Sequence, residues 1–181
     1  AYSIPGSTKF PRLNVGALAH MPENYRPVLN WVFFDVDNPG HAKWSSPGEA
    51  EEPLDGLPWN LDCLKDSGYY STPGGYRLFW KLETPIPVTR ANGFLKAWGE
   101  HVSKQTGIVI DPASYEWTRF FRVPRANRPG YGVLPEPAFD TPRGTLDAYT
   151  TGMVPDTDEV AERRDQGDCP DEPMKLTFDQ L

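Results

Sequence analysis

The chain has few residues that staple or ligate. Only two cysteines occur in 181 residues, Cys63 and Cys169, far apart and in no CxxC or Cys/His cluster. That argues against a zinc site or a disulfide framework, and a reducing, cytoplasmic compartment fits best. The three histidines, His20, His41 and His101, form no HxH or HExxH pattern. No catalytic histidine is therefore assigned, and His101 reads as a structural residue of a helix. Also missing are a Ser/His/Asp set, a P-loop and a dinucleotide-binding glycine fingerprint. No apolar run approaches the length of a membrane span and no signal-peptide pattern opens the chain, so no membrane partner is expected. There is no internal repeat.

What remains is a folded, loop-rich protein. Hydrophobic residues make up 38% and aromatics 13%, enough for one domain with a core. Twenty prolines and sixteen glycines favour short elements over long helices. The net charge of −7 is unevenly spread. Residues 152–181 carry nine acids and three bases, a net of −6, whereas residues 1–151 carry sixteen acids and fifteen bases. The division implied is a main domain over 1–151, the catalytic one if the chain is an enzyme, and an acidic tail or linker over 152–181. Arg119, Arg122, Arg125 and Arg128 follow one another with no acid between them, and local charge steers anionic ligands more directly than the total.

Periodicity gives the elements. The first 29 residues read as irregular, with one short strand around Asn14–Leu18. Trp31-Val32-Phe33-Phe34-Asp35-Val36-Asp37 reads as a buried strand over 30–37, stopped by Asn38-Pro39-Gly40. A surface loop is expected over 38–58 and a short helix over 59–66. Tyr69–Ser71 and Tyr76–Leu82 flank the turn signal Thr72-Pro73-Gly74-Gly75 and predict a hairpin. In its second strand Tyr76, Leu78, Trp80 and Leu82 share one face, and Arg77, Phe79 and Lys81 the other. Residues 90–105 predict a helix with Thr89 as N-cap, Gly107 as stop, and an apolar stripe at Ala91, Leu95, Trp98 and Val102. Strands are expected at Gly107–Asp111 and Phe120–Val123, and a short helix at Asp158–Arg164.

Three features carry candidate chemistry. Asp35 and Asp37 lie two apart on a strand, so both carboxylates leave one face, roughly 7 Å apart along the chain. Like charges so placed call for a cation between them, and a hard divalent ion takes carboxylate oxygens; the plain alternative is a solvated strand end. Ser71, Thr72, Gly74, Gly75 and Arg77 come next. Glycines without Cβ atoms let backbone N–H groups approach a phosphate, and the hydroxyls and Arg77 add donors; the plain alternative is a tight hairpin. Asp111 ends Ile108-Val109-Ile110, and Pro112 holds it extended. A third acid beside Asp35 and Asp37 would complete ligands for two metal ions. Arg119 and Arg122 flank Phe120-Phe121 and, on a strand, would face opposite ways.

In order and spacing these features resemble the archaeo-eukaryotic primase superfamily, in particular the primase–polymerase (prim-pol) domains of phage and plasmid replication proteins. Asp35-Val36-Asp37 is similar to that family's DxD/E strand and Ile110-Asp111 to its hD strand. Asp111 to Asn127, with Arg119, Arg122 and Pro124, looks like its D…tR.lR.P…N segment. The middle sxH motif departs: Ser71 and the glycines are present, but Arg77 stands about where the family's phosphate-contacting histidine is expected. The resemblance covers about residues 30–130. It implies an α/β (α+β) two-layer fold, with an RRM-like, mainly antiparallel sheet and flanking helices. It implies template-directed nucleotidyl transfer, making or extending primers. Asp35, Asp37 and Asp111 would hold two Mg²⁺ or Mn²⁺; Ser71, Gly74, Gly75, Arg77, Arg119 and Arg122 would bind the nucleotide. The implied partners are single-stranded DNA template, primer, NTP or dNTP, and a helicase domain or protein in a larger replicase.

Two rivals compete. A DxD glycosyltransferase would use the acid pair on a nucleotide sugar and would not need Asp111. A non-catalytic module of RRM type would bind single strands through aromatics such as Tyr69, Tyr70 and Phe79, indifferent to metal.

Overall fold

The alternating run at the first predicted strand does form one, β1, spanning Val28–Asp37. Val32, Phe34 and Val36 are buried on one side, while Trp31, Phe33, Asp35 and Asp37 take the other. The computed structural model describes residues 27–44, 47–119, 121 and 139–158. Within them β1 is followed by a 3-10 turn at Pro39–His41, helix α1 (Pro47–Asp55), β2 (Gly68–Thr72) and β3 (Gly75–Pro87). Helix α2 (Val88–Thr106), a 3-10 turn at Pro112–Tyr115 and β4 (Phe139–Asp140) complete the order. The four strands make one antiparallel sheet ordered β1-β3-β2-β4, so the protein is mixed α/β.

The sheet is two-faced, as alternation requires. Tyr76, Leu78, Trp80 and Leu82 of β3 join Val32, Phe34 and Val36 of β1 against Phe94, Leu95, Trp98 and Val102 of α2. The predicted helix stripe is thus the buried one. Trp80 packs edge-on to both Phe34 and Trp98 at 5.5 and 6.1 Å, and its indole N–H donates to Cys63 O at 3.0 Å. Each such fully buried aliphatic or aromatic side chain contributes roughly 1.5–3 kcal/mol. Gly107 ends α2 in the left-handed region (φ 76°), its N–H donating to Ser103 O.

The start of α2 differs from expectation. Pro87 holds the N-cap position, and Thr89 lies inside the first turn. The anion at this end comes from far along the chain: Asp158 accepts from Thr89 Oγ1 and Arg90 Nε, each at 3.0 Å. A carboxylate suits the positive end of a helix.

Residues 38–58 are not all loop. Pro47 opens α1 and Glu49 sits in its first turn, both favourable at a helix start, and Leu54 anchors it in the core. Conversely, 59–66 is a series of turns, with Leu61 N–H donating to Pro58 O and Leu64 N–H to Leu61 O. Leu64 is buried as its spacing required, but so few residues between Pro58 and Gly68 do not sustain a helix.

The strand expected at Gly107–Asp111 does not join the ladder. Ile108 and Ile110 are buried and Val109 is exposed, so the alternation is strand-like. The segment meets β1 at its end, where Asp111 N–H donates to Asp35 O at 2.8 Å, and Pro112 then turns it into the 3-10 helix.

Beyond the first residue of β2, Leu146 bridges Leu82 of β3, and Ala148 is buried in the core. Asn14–Leu18, Arg122, Arg125, Arg128 and all but the first residue of the Asp158–Arg164 helix lie outside the described residues. So does the Phe120–Val123 strand apart from Phe121, which stands outside any strand. Among the described residues, no helix is long and apolar enough to cross a membrane.

Burial raises the Tyr76 hydroxyl from 10.0 to about 12. A raised folded pKa stabilises fully below the unfolded value of about 10 and is lost as the pH climbs toward the folded one. The loss from Tyr76 amounts to about 2–3 kcal/mol. Tyr76→Phe is expected to flatten the alkaline decline of the urea midpoint. Tyr70 and Tyr115, also raised by burial, leave part of the slope. An unchanged slope in Tyr76→Phe would remove Tyr76 as its source.

Candidate functional site

Asp35 is the buried polar residue of the sheet, 6% exposed, on the face away from α2. Its main chain faces the outer edge of β1. The Asp35 N–H donates to Ser114 Oγ at 3.0 Å, and its carbonyl accepts from Asp111 N–H. An antiparallel strand turns both groups of alternate residues outward, so Asp35 and its partner Arg77 form a non-hydrogen-bonded rung, where side chains stand closest. The segment 111–114 thereby covers an edge that would otherwise offer unpaired backbone.

Arg77 grips the carboxylate with two nitrogens. Nε donates to Asp35 Oδ1 at 3.1 Å and Nη2 to Oδ2 at 3.2 Å, while Nη1 donates to Tyr70 OH at 3.2 Å. Arg119 reaches the same carboxylate from the chain after the 3-10 turn. Its Nη2 lies 3.3 Å from Asp35 Oδ2 and 2.9 Å from Asp111 Oδ2. Asp111 Oδ1 accepts from Ala113 N–H, capping the turn. Arg77, Asp35, Arg119 and Asp111 are thus one continuous ionic chain. Phe121 lies against both guanidinium groups, at 5.3 Å from Arg77 and 5.7 Å from Arg119.

Burial alone would lower the pKa of Arg77, but its hydrogen bonds to Asp35 and Tyr70 and the Asp35 charge outweigh it and raise it. Burial pushes the Tyr70 phenol up, with the Arg77 hydrogen bond pulling the other way.

The sequence candidates divide accordingly. Asp35, Asp111, Arg77 and Arg119 come together, and Asp37 shares their face at the exposed end of β1, opposite Gly75. Ser71 does not join them. It pairs with Tyr76, whose side chain is in the core, so register turns Ser71 to the opposite face. Gly74 O accepts from Asn38 N–H at 2.8 Å, and Gly75 O from the Trp44 indole at 3.1 Å. Gly75 is required by packing, since a Cβ there would run into the Val36 carbonyl. Arg122 lies outside the described residues. The aromatics named for strand binding also need revision. Tyr69 packs on Trp59 at 5.0 Å on the core side, and Tyr70 and Phe79 are buried. Among the described residues, the exposed aromatics of the Asp35 face are Trp31 and Phe139.

Ser114, Tyr70 and Phe121 are site residues that the sequence reading did not assign to the acid cluster. Ser114 had a local signal, since Asp111-Pro112 starts a turn that places a residue three further on beside it. Tyr70 and Phe121 had none, because cross-strand register and ring contact placed them.

Among the described residues no group of three or more Asp, Glu, His or Cys is arranged to hold a metal ion. A guanidinium, not a gap, separates Asp35 from Asp111. The donor chemistry nonetheless suits a hard divalent cation, which takes carboxylate oxygens, and such an ion and Arg119 would replace each other as the positive charge between the two acids.

No family model matches this chain, and neither a curated protein nor a solved structure matches it significantly.

Removing one partner of a buried ion pair costs about 3–5 kcal/mol, because the other charge stays desolvated. The Asp35 and Arg77 side chains are 9% and 14% exposed. Asp35→Ala is therefore expected to destabilise by that amount, and Asp35→Ala/Arg77→Met to recover most of it. Chemical denaturation compares them, and equal midpoints for both variants and the parent would show that this pair does not hold the sheet.

Proposed function

We propose that the protein is a template-directed nucleotidyltransferase of primase–polymerase type, with an RRM-like catalytic core. One observation carries the reading. Three motifs distant in sequence converge at one end of one sheet face: Asp35 meets Arg77 across 42 residues and Arg119 across 84, and Arg119 meets Asp111. A fold that needed only an ion pair would need two of these groups, not four.

Asp35, Asp37 and Asp111 are the residues that would hold Mg²⁺ or Mn²⁺. When bound, such ions make a primer 3′-hydroxyl more acidic and neutralise a leaving pyrophosphate. The chain's own residues then have separate tasks. Arg77 fixes the orientation of the Asp35 carboxylate through its two bonds. Ser114 and Asp111 clamp the backbone of Asp35, so the carboxylate is preorganised rather than folded into place by the substrate. Arg119, 29% exposed at the rim, offers its guanidinium to phosphate oxygens when it leaves Asp111. Arg122 remains a second candidate for that contact. Substrates are (d)NTPs on a single-stranded DNA template with a primer, and a helicase domain or protein is the fitting replicative partner, in a cytoplasmic setting.

The bridging position of Arg119 favours a second reading. Acids already neutralised by arginine could serve only the fold of a metal-independent strand-binding module. The glycosyltransferase alternative draws no support from a site that also recruits Asp111.

The test is a gel assay of the whole chain with primed and unprimed template, labelled NTPs or dNTPs, and Mg²⁺ or Mn²⁺. Because Asp35 also supports the fold, the informative variants are Asp37→Asn and Asp111→Asn, the second of which keeps the turn cap. Each is expected to lose on the order of 100-fold or more in synthesis with an unchanged denaturation midpoint. Full synthesis in both would sink the assignment. No synthesis by the parent, with metal-independent strand binding, selects the second reading.

A further inference from the structure

The Asp35 face is also an aromatic face. Its rungs run in order from Asp35 opposite Arg77, through Phe33 opposite Phe79, to Trp31 opposite Lys81. Tyr70 stands opposite Arg77 on the other flank of β3, and Phe139 opposite Tyr70. The rings form a continuous sheet of contacts: Trp31 to Phe79 at 6.2 Å, Phe33 stacked on Phe79 at 5.5 Å, and Phe79 stacked on Phe139 at 6.3 Å. The tip of the Phe79 ring reaches over Gly68, where a Cβ would stand 2.6 Å from it. Of the inner rings Phe79 is buried and Phe33 half-buried, with Phe121 stacked on it at 5.4 Å, while the outer two, Trp31 and Phe139, are 39% and 51% exposed. Single exposed aromatics need no explanation. Two that bracket a layer of stacked rings, on the face not covered by α2, form a platform.

The charges around it choose the occupant. Lys81 is exposed on the rung of Trp31, and Arg77 and Arg119 stand at the far end of the same row. Trp31 lies four residues from Asp35, about 13 Å at strand rise, so one extended ligand spans both. Flat π-faces interrupted by cations match alternating bases and phosphates, and base–aromatic stacking is tolerant of sequence. Arg77 and Arg119 already pair with Asp35 and Asp111, so Lys81 is the cation that a purely apolar partner would leave without use.

We infer that Trp31 and Phe139, held in place by the Phe33–Phe79 layer between them, are a stacking platform for unpaired bases of a single-stranded nucleic acid, whose phosphates pass Lys81 on the way to the acid cluster. This deepens the nucleotidyl-transfer reading by giving its template strand a path, and rests on that reading only for the role of the strand.

Fluorescence anisotropy in EDTA, without nucleotide, separates the two. The probes are a labelled oligo-dT and an abasic oligonucleotide of equal length. Trp31→Ala and Phe139→Ala, both at exposed positions, are each expected to weaken oligo-dT binding about tenfold. Because stacking releases no counterions, neither should alter the salt slope, whereas Lys81→Ala should reduce it by about 0.7. The abasic strand is expected to bind weakly to the parent and to be indifferent to both aromatic variants. The platform is overturned if the parent binds the abasic strand as tightly as oligo-dT, if both aromatic variants bind like the parent, or if oligo-dT does not bind. Base-dependent binding from a chain that makes no product would retain the platform and discard nucleotidyl transfer; synthesis without base-dependent binding would do the reverse.

Discussion

A carboxylate taken out of water on the open side of a sheet sets the terms for the rest of this structure. Asp35 is too buried to be left unpaired, since an isolated buried charge costs several kcal/mol. It requires Arg77 from the neighbouring strand and recruits Arg119 from beyond the second 3-10 turn. Its backbone is fixed by Ser114 and Asp111. These partners also lock the register. A slip of one residue between β1 and β3 would turn Asp35 into the core and Phe34 out of it. The ion pair and the hydrophobic alternation therefore exclude the same error, from opposite faces of one sheet.

The parts legible in the sequence are those set by a local period. Strands β1 and β3 show alternation, the hairpin shows Thr72-Pro73-Gly74-Gly75, and α2 shows an apolar stripe ending at Gly107. Where composition and period disagreed, the reading failed. Pro47, Gly48 and Pro53 made α1 look like loop, although Pro at a helix start and an acid in its first turn are favourable. Ile108 and Ile110 have strand alternation, yet Pro112 removes a donor and the chain turns before a ladder can form. The membership of the acid cluster was largely visible, but its internal pairing was not. Arg77 was assigned to phosphate because it follows two glycines. Only the rung opposite Asp35 reveals its carboxylate partner, and rungs depend on register rather than on spacing within one strand. The same argument removes Ser71 from the cluster, one residue of register away.

The two faces of the sheet divide the labour in a way that composition hides. On the α2 side, Trp80, Phe34 and Trp98 pack edge-on, and the indole of Trp80 is satisfied by a backbone carbonyl. This is an interior. On the other side the rings of Phe33, Phe79, Phe121 and Phe139 are closer to parallel, and guanidinium groups lie against Phe121 and Tyr70. Near-parallel rings and guanidinium groups thus share this face. A net charge of −7 gives no sign of this, because most of it belongs to the tail.

The two arginines around Asp35 are not equivalent, and the difference bears on which of them can serve a ligand. Arg77 projects from the central strand, makes two bonds to one carboxylate and a third to Tyr70, and has a side chain 14% exposed. Moving it would strand a buried charge, at a cost of about 3–5 kcal/mol. Arg119 follows a single turn of 3-10 helix, contacts both acids through one nitrogen, and is twice as exposed. Partly solvated pairs of that kind are worth about 0–1 kcal/mol, which a phosphate or a divalent ion can replace. Arg77 is then the residue that shapes the carboxylate, and Arg119 the more weakly held of the two.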